Sequence, residues 1–339
     1  MPSGILSKRK YFFVAGVAFL MGGLLTLSIL FYFSKTYKVS EPVNFLLLGE
    51  GGAGHEGPDL TDTIMFGSVS RKGTVLVSLP RDLWYQPWQT KINTLYFYGQ
   101  EKGDGLKWTK EIASEITGQK IDRVVLIDFA VFKDLVDLVG GVDVEIDKTF
   151  DDYRYPVSGK EKDPCDGDKE YKCRYEHLHF DAGIQRLDGE TALKYVRSRY
   201  AEGDEGTDTA RALRQQKVVA ALKAKLTSPQ IMFSLDKLKS LRVIFETRVK
   251  SDLTEDDYFN LGRIFLGPSS RKMESFVVDG WQTGEDGLVY HPQTHPSGQW
   301  VLLPSNDSWE RIHQFVNCLI YQENKSLCPP EKKQGSRGV

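Results

Sequence analysis

The sequence predicts an α/β fold in which a mixed central β-sheet is covered by helices on both faces and is preceded by one N-terminal transmembrane helix. Three observations support this prediction. Short apolar runs alternate with segments of helical periodicity, a pattern typical of a sheet layered with helices. The 339 residues are 40% hydrophobic and 27% charged, which are ordinary values for a globular chain. A separate apolar stretch near the N-terminus is long enough to cross a bilayer.

Residues 11–33 form this apolar stretch and contain no charged side chain. A signal peptide would have a shorter apolar run and a small-residue cleavage site; cleavage is the alternative interpretation. Three basic residues precede the stretch and outweigh the two lysines that follow it. The positive-inside rule therefore predicts residues 1–10 in the cytoplasm, a single membrane pass, and everything from the linker 34–42 onward outside the cell membrane.

The overall charge and the cysteines narrow the class of protein. The formal net charge is -2, whereas a nucleic-acid-binding protein would be expected to carry a strongly basic face. Cys165 and Cys173 lie close together, as do Cys318 and Cys328, and we predict two local disulfides of the kind found outside the cytoplasm. A zinc site that includes two histidines after Cys173 is the alternative, but its spacing fits no common zinc finger.

The first strand is predicted over residues 43–48, a compact apolar run closed by glycine. The glycine-rich loop after it contains a G-x-G-x-x-G match. A dinucleotide site would need a helix there, but Pro58 and the extra glycines forbid one, and a second strand is predicted over 63–69. We therefore interpret the loop as flexible backbone near a ligand, which brings Asp59 and Asp62 to the edge of the sheet.

The later elements are predicted from the same signals. Further strands are predicted over 74–79, 123–129, 142–146, 276–278 and 301–303. Helices are predicted over 106–117, 131–139, 229–245, 254–266 and 307–321, the last with Asp307 and Glu310 as a capping box. Residues 151–176 are dense in charge and carry the first cysteine pair, which predicts a surface excursion.

Residues 185–216 concentrate the arginines that we consider functional. Asp188 is predicted to cap a helix that runs through Ala192 and Leu193. Arg197 and Arg199 follow two residues apart, and in an extended segment this spacing would put both guanidinium groups on one face.

A second helix is predicted to begin at Thr207 or Asp208. Its apolar stripe is formed by Val218, Val219, Leu222 and Leu226. Followed back toward the N-terminus, the stripe reaches Gln215 and Arg211. An inward-facing arginine is costly unless an anion meets it, and a helix N-terminus also favours anions. The pattern therefore predicts a cradle for a polyanion such as a diphosphate; a solvated, salt-bridged helix pair is the alternative.

Six motifs occur in order along residues 44 to about 225. They are LTDTIMFGSV, VSLPRDLW, KINTLYFYG, VVLIDFAVFKDLVDLVGGVDVEI, FDAGIQRLDGETALKYVRSR and D-x-x-R-x-x-R-Q. In this combination the sequence resembles the LytR-CpsA-Psr family of cell-envelope proteins. The resemblance implies a catalytic domain, which we place at residues 43–250. We expect residues 251–325 to form a C-terminal extension packed on it and residues 326–339 to form a flexible tail.

The resemblance also implies an activity. Members of this family are phosphotransferases that move a glycopolymer from a polyprenyl-diphosphate carrier to an acceptor hydroxyl of the cell envelope, usually on peptidoglycan, with Mg²⁺ as cofactor. Two alternatives are a noncatalytic envelope regulator that binds the same lipid and a hydrolase that cleaves the diphosphate.

Carried over by motif, the resemblance assigns roles to individual residues. Asp62 matches the metal-binding aspartate, and Glu50 stands where other members have an aspartate, so it is a second candidate ligand and the far side of the metal site is left open. The expected diphosphate-binding residues are Arg81, Lys91, Arg197, Arg199, Arg211 and Gln215. Asp62, Arg81, Arg199 and Arg211 are the expected catalytic residues.

Three of these residues also have simpler interpretations. Asp62 could complete a turn with its own backbone. Arg81 could form a surface ion pair with Asp82. Asp208 is better interpreted as a helix cap, or as a partner that orients Arg211, than as a catalytic base. A lipid tail is expected to enter an apolar pocket among the strands and helices.

Overall fold

The computed structural model describes residues 42–55, 57–70, 73–255, 257, 272–279 and 287–328. The predicted transmembrane helix, most of the helix predicted over 254–266 and nearly all of the predicted tail lie outside these residues. Within the described ranges, no helix has the length and apolar character needed to cross a membrane. The chain from Pro42 onward forms one compact unit.

A six-stranded mixed sheet lies at the centre of this unit. Numbered in chain order, its strands are β1 (Val43–Glu50), β2 (Thr61–Ser70), β3 (Gly73–Ser78), β6 (Arg123–Asp128), β11 (Lys250–Ser251) and β12 (Met273–Val277), arranged β11-β6-β1-β2-β3-β12. β1 pairs in parallel with β6 and β3 with β12, while the other neighbours are antiparallel. The predicted mixed sheet is confirmed.

The other described strands pair two by two. These pairs are β4 (Trp84–Tyr85) with β5 (Thr90–Lys91), β7 (Val142–Ile146) with β10 (Gly183–Leu187), β8 (Phe150–Pro156) with β9 (Tyr175–Phe180), and β13 (Val289–Tyr290) with β14 (Leu303–Pro304). The described α-helices are α1 (Leu95–Glu101), α2 (Gly105–Thr117), α3 (Phe129–Leu138), α4 (Gly189–Arg197), α5 (Asp208–Leu226), α6 (Pro229–Met232), α7 (Leu235–Arg248) and α8 (Glu310–Tyr321).

Several helices begin where the sequence predicts a cap. Asp188 accepts a hydrogen bond from the backbone of Thr191 and starts α4, and Thr207 accepts one from Ala210 and starts α5. The capping box predicted at Asp307 is wrong. Asp307 lies in a 3₁₀ turn with a positive φ, and α8 begins after Trp309 without a side-chain cap.

The two faces of the sheet differ in how completely they are covered. On the first face Leu46 and Leu48 are fully buried under α2 and α8 in a large apolar core. On the second face, covered in part by α3 and α5, alternate residues of β1 and β6 are only half-buried. They form an apolar strip along the two paired strands: Phe45, Leu47, Val125 and Ile127.

Residues 151–176 are not only a surface excursion. Their two ends belong to the β8–β9 ribbon, whose Phe150, Tyr155 and Phe180 pack into a second core with α4 and α5. The sequence does not indicate this ribbon because its buried residues are separated by exposed charged ones.

The residues expected to form a C-terminal extension are part of the main fold. β12 is an edge strand of the central sheet, and α8 contributes Ile312, Val316 and Leu319 to the main core. The helix predicted over 229–245 is instead two helices, α6 and α7, interrupted at Phe233 and Ser234.

Both predicted disulfides are confirmed, Cys165 with Cys173 and Cys318 with Cys328. The zinc alternative at Cys173 is therefore wrong, because its sulfur is committed to the disulfide. The two histidines of that motif, His177 and His179, contact Asp151 instead, at 2.6 and 2.8 Å.

Candidate functional site

A β-bulge at the end of β1 and the start of β2 displays Asp62. Gly49 pairs with Thr63 and Glu50 pairs with Thr61, so Asp62 is the extra residue between two paired positions. Its side chain is 47% exposed, and its Oδ1 accepts a hydrogen bond from Arg81 Nη1 at 2.7 Å. The carboxylate thus faces a cation that follows the neighbouring strand β3, and it is still open to a ligand.

Arg81 follows β3 and is held between two carboxylates. Besides Asp62, its Nε lies 3.4 Å from Asp82 Oδ2. Burial acts to lower the pKa of Arg81, but the charges of Asp62 and Asp82 outweigh burial and raise it. The guanidinium therefore stays charged at the edge of the site. Lys91, expected to bind diphosphate, instead places its Nζ 2.6 Å from Asp82 Oδ1 and helps to fix the partner of Arg81.

Arg211 is the most deeply placed of the predicted diphosphate-binding arginines that contact this site. It lies on the first turn of α5, is 8% exposed, and its Nη2 is 2.8 Å from Asp208 Oδ1. Burial, together with the charges of Arg81 and Arg199, lowers its pKa to about 10, against the opposing effect of Asp208. Asp208 is thus the orienting partner of Arg211, and the charges of Arg81 and Arg199 act on the same buried guanidinium.

Arg199 is presented by a loop that a buried carboxylate fixes. Asp152 has no exposed surface, and its Oδ2 accepts hydrogen bonds from Ser198 Oγ at 2.7 Å and from the backbone N–H groups of Arg199 and Tyr200 at 3.1 and 3.2 Å. The Arg199 side chain itself is exposed. Asp152 is a site-building residue that sequence reasoning missed, because nothing in its charge-dense segment distinguishes it from the exposed acids around it.

Asp152→Asn is expected to destabilise the fold by about 1–3 kcal/mol, because both carboxylate oxygens accept from backbone N–H groups and the amide NH₂ would face a donor in either orientation. Urea unfolding with the disulfides intact measures this. Asp236→Asn, an exposed acid on α7, is the matched control. A stability equal to that of the control variant would show that Asp152 does not hold the loop.

Arg197 is placed differently from the prediction. Helix α4 continues through it, so the extended segment begins only at Ser198. Its guanidinium carbon lies 4.4 Å from the centre of the Phe129 ring, and its Nη1 donates to the Tyr155 hydroxyl at 3.2 Å. The charges that act most on Arg211 are those of Asp208, Arg81, Arg199 and Asp62. The structure brings Arg81, Arg199 and Arg211 together and gives Arg197 other neighbours.

A polar cavity of about 640 Å³ lies between the glycine-rich loop after β1 and the surface excursion of residues 151–176. His55 and Glu161 line it, and the charge of Arg197 acts on both. Burial, followed by Arg197, lowers the pKa of His55. The charge of Arg197 therefore acts on a space whose lining suits a polar ligand.

The remaining polar residues of α5 divide into two kinds. Arg214 is turned into the fold and donates to the backbone oxygens of Tyr195, Ser198 and Glu205. Gln215, one turn after Arg211, is half-buried and keeps the predicted side of the helix. Its neighbour Gln216 is buried and donates to Ser78 Oγ at 2.9 Å, which ties α5 to β3.

Glu50 is a buried carboxylate, and among the described residues only one of its two oxygens has a hydrogen-bond partner. It is 3% exposed, and its Oε1 pairs with Lys250 Nζ at 2.9 Å. Its Oε2 is buried without a hydrogen-bond partner among the described residues. Burial raises the pKa of Glu50, and the charges of Asp59 and Asp128 raise it further. Oxygen donors of this kind fit Mg²⁺, which takes one or two protein carboxylates and completes its shell with water and phosphate.

Comparisons with known proteins identify relatives that are named as transferases. Across 258 residues the chain is 30% identical to a polyisoprenyl-teichoic acid–peptidoglycan teichoic acid transferase TagU of Enterococcus faecalis, covering 74% of each chain. It is 26% identical over 258 residues to TagU of Bacillus cereus, again covering 74% of each. TagV of Bacillus subtilis is 28% identical over 211 residues, which are 60% of this chain and 47% of TagV.

Solved structures share the fold. The crystal structure of B. subtilis TagV superposes with a TM-score of 0.58 at 23% identity, covering 84% of this chain and 98% of that one. A structure of TagT bound to LIIa-WTA gives a TM-score of 0.56 at 22% identity and covers 84% and 94%. The model of the LytR_cpsA_psr family matches residues 28–300, most of the chain. The chain therefore belongs to the LytR-CpsA-Psr family.

Proposed function

We propose that this protein is a membrane-anchored, extracytoplasmic phosphotransferase that moves a glycopolymer from a polyprenyl-diphosphate carrier to a hydroxyl of peptidoglycan. The observation that carries the proposal is the cluster of Arg81, Arg199 and Arg211, in which a buried arginine faces two more cations. The charge of Arg211 is disfavoured by burial and by its two arginine neighbours, and it becomes favourable when a polyanion enters. The names of the relatives, which are transferases acting on polyisoprenyl-linked teichoic acid and peptidoglycan, agree with that ligand.

The reaction exchanges one phosphorus–oxygen bond for another. The acceptor hydroxyl oxygen bonds to the phosphorus that carries the glycan, the bridging P–O bond of the diphosphate breaks, and the lipid leaves as its monophosphate. The hydroxyl proton passes to a base, for which Asp62 is a candidate as an exposed carboxylate beside Arg81. Phosphoryl transfer depends mainly on alignment and charge neutralisation, which planar guanidinium groups supply by binding two phosphate oxygens each.

Mg²⁺ would be held by Asp62, with Glu50 as a further ligand, and would supply additional neutralisation of the diphosphate charge. Asp62 is exposed to incoming ligands, and Glu50 offers a buried oxygen without a described partner. Asp62 is not among the charges that act on Glu50, so the proposal is strongest for Asp62 alone.

The lipid and the glycan of the donor each have a candidate binding surface near the arginines. The half-buried apolar strip of Phe45, Leu47, Val125 and Ile127 suits a polyprenyl chain, since it offers apolar surface that the helices leave uncovered. The polar cavity bordered by Arg197 suits the hydroxyl-rich glycan. Anchoring by residues 11–33 would keep the protein at the membrane that holds the donor, and the two disulfides agree with a location outside the cytoplasm.

The test is a transfer assay with the full chain in vesicles, a polyprenyl-diphosphate glycan and peptidoglycan fragments. Release of lipid monophosphate is expected to require both the acceptor and Mg²⁺. Asp62→Ala is expected to lose activity while it retains lipid-diphosphate binding. Release without acceptor would indicate a hydrolase, and binding without any metal-dependent transfer would indicate a noncatalytic regulator; either result contradicts the proposal.

A further inference from the structure

A short apolar turn between α6 and α7 is exposed to an unusual degree. Phe233 is 87% exposed and Leu235 is 73% exposed, on either side of Ser234. Helix α7, which follows the turn, contributes no fully buried residue. Large apolar side chains that lie together in solvent mark a surface that binds another apolar phase. We call residues 233–235 the basal turn.

The basal turn lies at the end of the sheet opposite the arginines. Gln216 of α5 contacts Ser78 at the end of β3, whereas Lys223 contacts Thr74 at its beginning. Helix α5 therefore runs from the end of β3 toward its beginning, and its C-terminus lies away from Arg211. Its 19 residues cover about 28 Å. The chain then reverses direction through α6 and the basal turn. Helix α7 runs back along the sheet toward Lys250, which pairs with Leu126 of β6.

The described fold also begins at this end. Val43, Val69 and Thr74 lie in one row across β1, β2 and β3, at the start of β1 and of β3. The predicted linker, residues 34–42, reaches at most about 30 Å when fully extended. A membrane segment at residues 11–33 would thus limit the start of β1 to within about 30 Å of a bilayer.

The charges beside the basal turn suit an anionic surface. Lys237 and Lys239 lie on the first turn and a half of α7, and within the described part of the chain neither takes part in an ion pair. Exposed Phe and Leu side chains next to unpaired lysines are the combination found in segments that bind at the interface of anionic membranes.

We propose that the basal turn inserts Phe233 and Leu235 into the interface of a bilayer that contains anionic lipids, with Lys237 and Lys239 against the headgroups. This contact would leave the arginine cluster at the opposite end of α5, because Arg211 lies about 22 Å along the helix from Leu226, and the half-buried apolar strip of the sheet's second face would run between the two ends. The docking contact is independent of whether the arginine cluster performs transfer.

The experiment places a fluorescent or nitroxide label on single cysteines in the full chain, reconstituted in vesicles. All four native cysteines are in disulfides, so Phe233→Cys gives one labelled position. Val243→Cys on the same helix and Ile184→Cys on β10, which is 78% exposed, are the matched controls. Accessibility of the label to a water-soluble quencher is compared in phosphatidylglycerol vesicles and in phosphatidylcholine vesicles. The measurement is also made without detergent at a low protein-to-lipid ratio.

In phosphatidylglycerol vesicles the label at position 233 is expected to be at least about ten-fold less accessible than the controls, as burial of an apolar side chain implies. Lys237→Gln with Lys239→Gln is expected to reduce that protection. Equal accessibility at positions 233, 243 and 184 overturns the proposal. Protection that grows with the protein-to-lipid ratio also overturns it, because a second copy of the chain would then be covering the turn.

Discussion

Arg211→Ala is expected to reduce the transfer rate by about 100- to 1000-fold, the effect of removing one preorganised donor to a developing oxyanion. Arg211 is the buried member of the cluster, and its removal takes away the guanidinium that an entering diphosphate would neutralise. Arg211→Lys should recover only part of the activity, because an ammonium group keeps the charge but loses the planar fork. Acceptor-dependent release of lipid monophosphate is the measurement.

The stability of the Arg211 variants separates a functional role from a structural one. Burial and two neighbouring arginines lower the pKa of Arg211 to about 10, so its charged form is held unfavourably in the ligand-free protein. Arg211→Met should therefore be no less stable than the wild type, while it loses diphosphate binding. Arg242→Ala, an arginine on the exposed side of α7, should change neither property. Full transfer by Arg211→Ala would remove Arg211 from the proposed site.

Arg214→Ala is expected to destabilise the protein by about 3–5 kcal/mol, the usual cost of removing one partner from a buried ion pair. The Arg214 side chain is 3% exposed, and its guanidinium donates to Ser198 O at 2.6 Å and contacts Glu205 Oε2 at 2.9 Å. Without Arg214 these acceptors are left buried and unpaired. Of the two side chains that hold the loop carrying Arg199, only Asp152 then remains.

Urea unfolding with the disulfides intact measures this effect, again with Arg242→Ala as the control. Arg214→Lys should remain well below the wild type, since one ammonium group cannot reach Tyr195, Ser198 and Glu205 together. A loss below about 1 kcal/mol, the size expected of an exposed pair, would contradict the structural role.

Arg211 and Arg214 show which features of the site can be predicted from the sequence. Both lie on the inward side of α5, three residues apart, and periodicity alone treats them alike. Their difference comes from the loop 198–205, whose carbonyl oxygens fold back to meet Arg214 but not Arg211. Helical spacing predicts which way a side chain points, whereas its partners depend on a loop whose path no local pattern specifies.

The same contrast holds for the fold. Local signals such as the apolar run of β1, the caps at Asp188 and Thr207 and the neighbouring cysteines predicted their elements well. The pairing of β12 with β3 could not be predicted, because a five-residue strand carries no information about a partner far away in the chain. Arg197 was assigned to an extended segment for a related reason: α4 has no glycine or proline to mark its end.

That distant pairing sets an order of assembly. During synthesis from the N-terminus, β3 has only β2 beside it until residues 273–277 have emerged, and the first face of the sheet is only partly covered, by α2 and its neighbours, until α8 is complete. An open strand edge and an apolar face are the features through which nascent chains aggregate. A chain that ends before β12 would therefore keep all the proposed catalytic residues and still fail to mature, so the last quarter of the sequence acts as the closing step of folding.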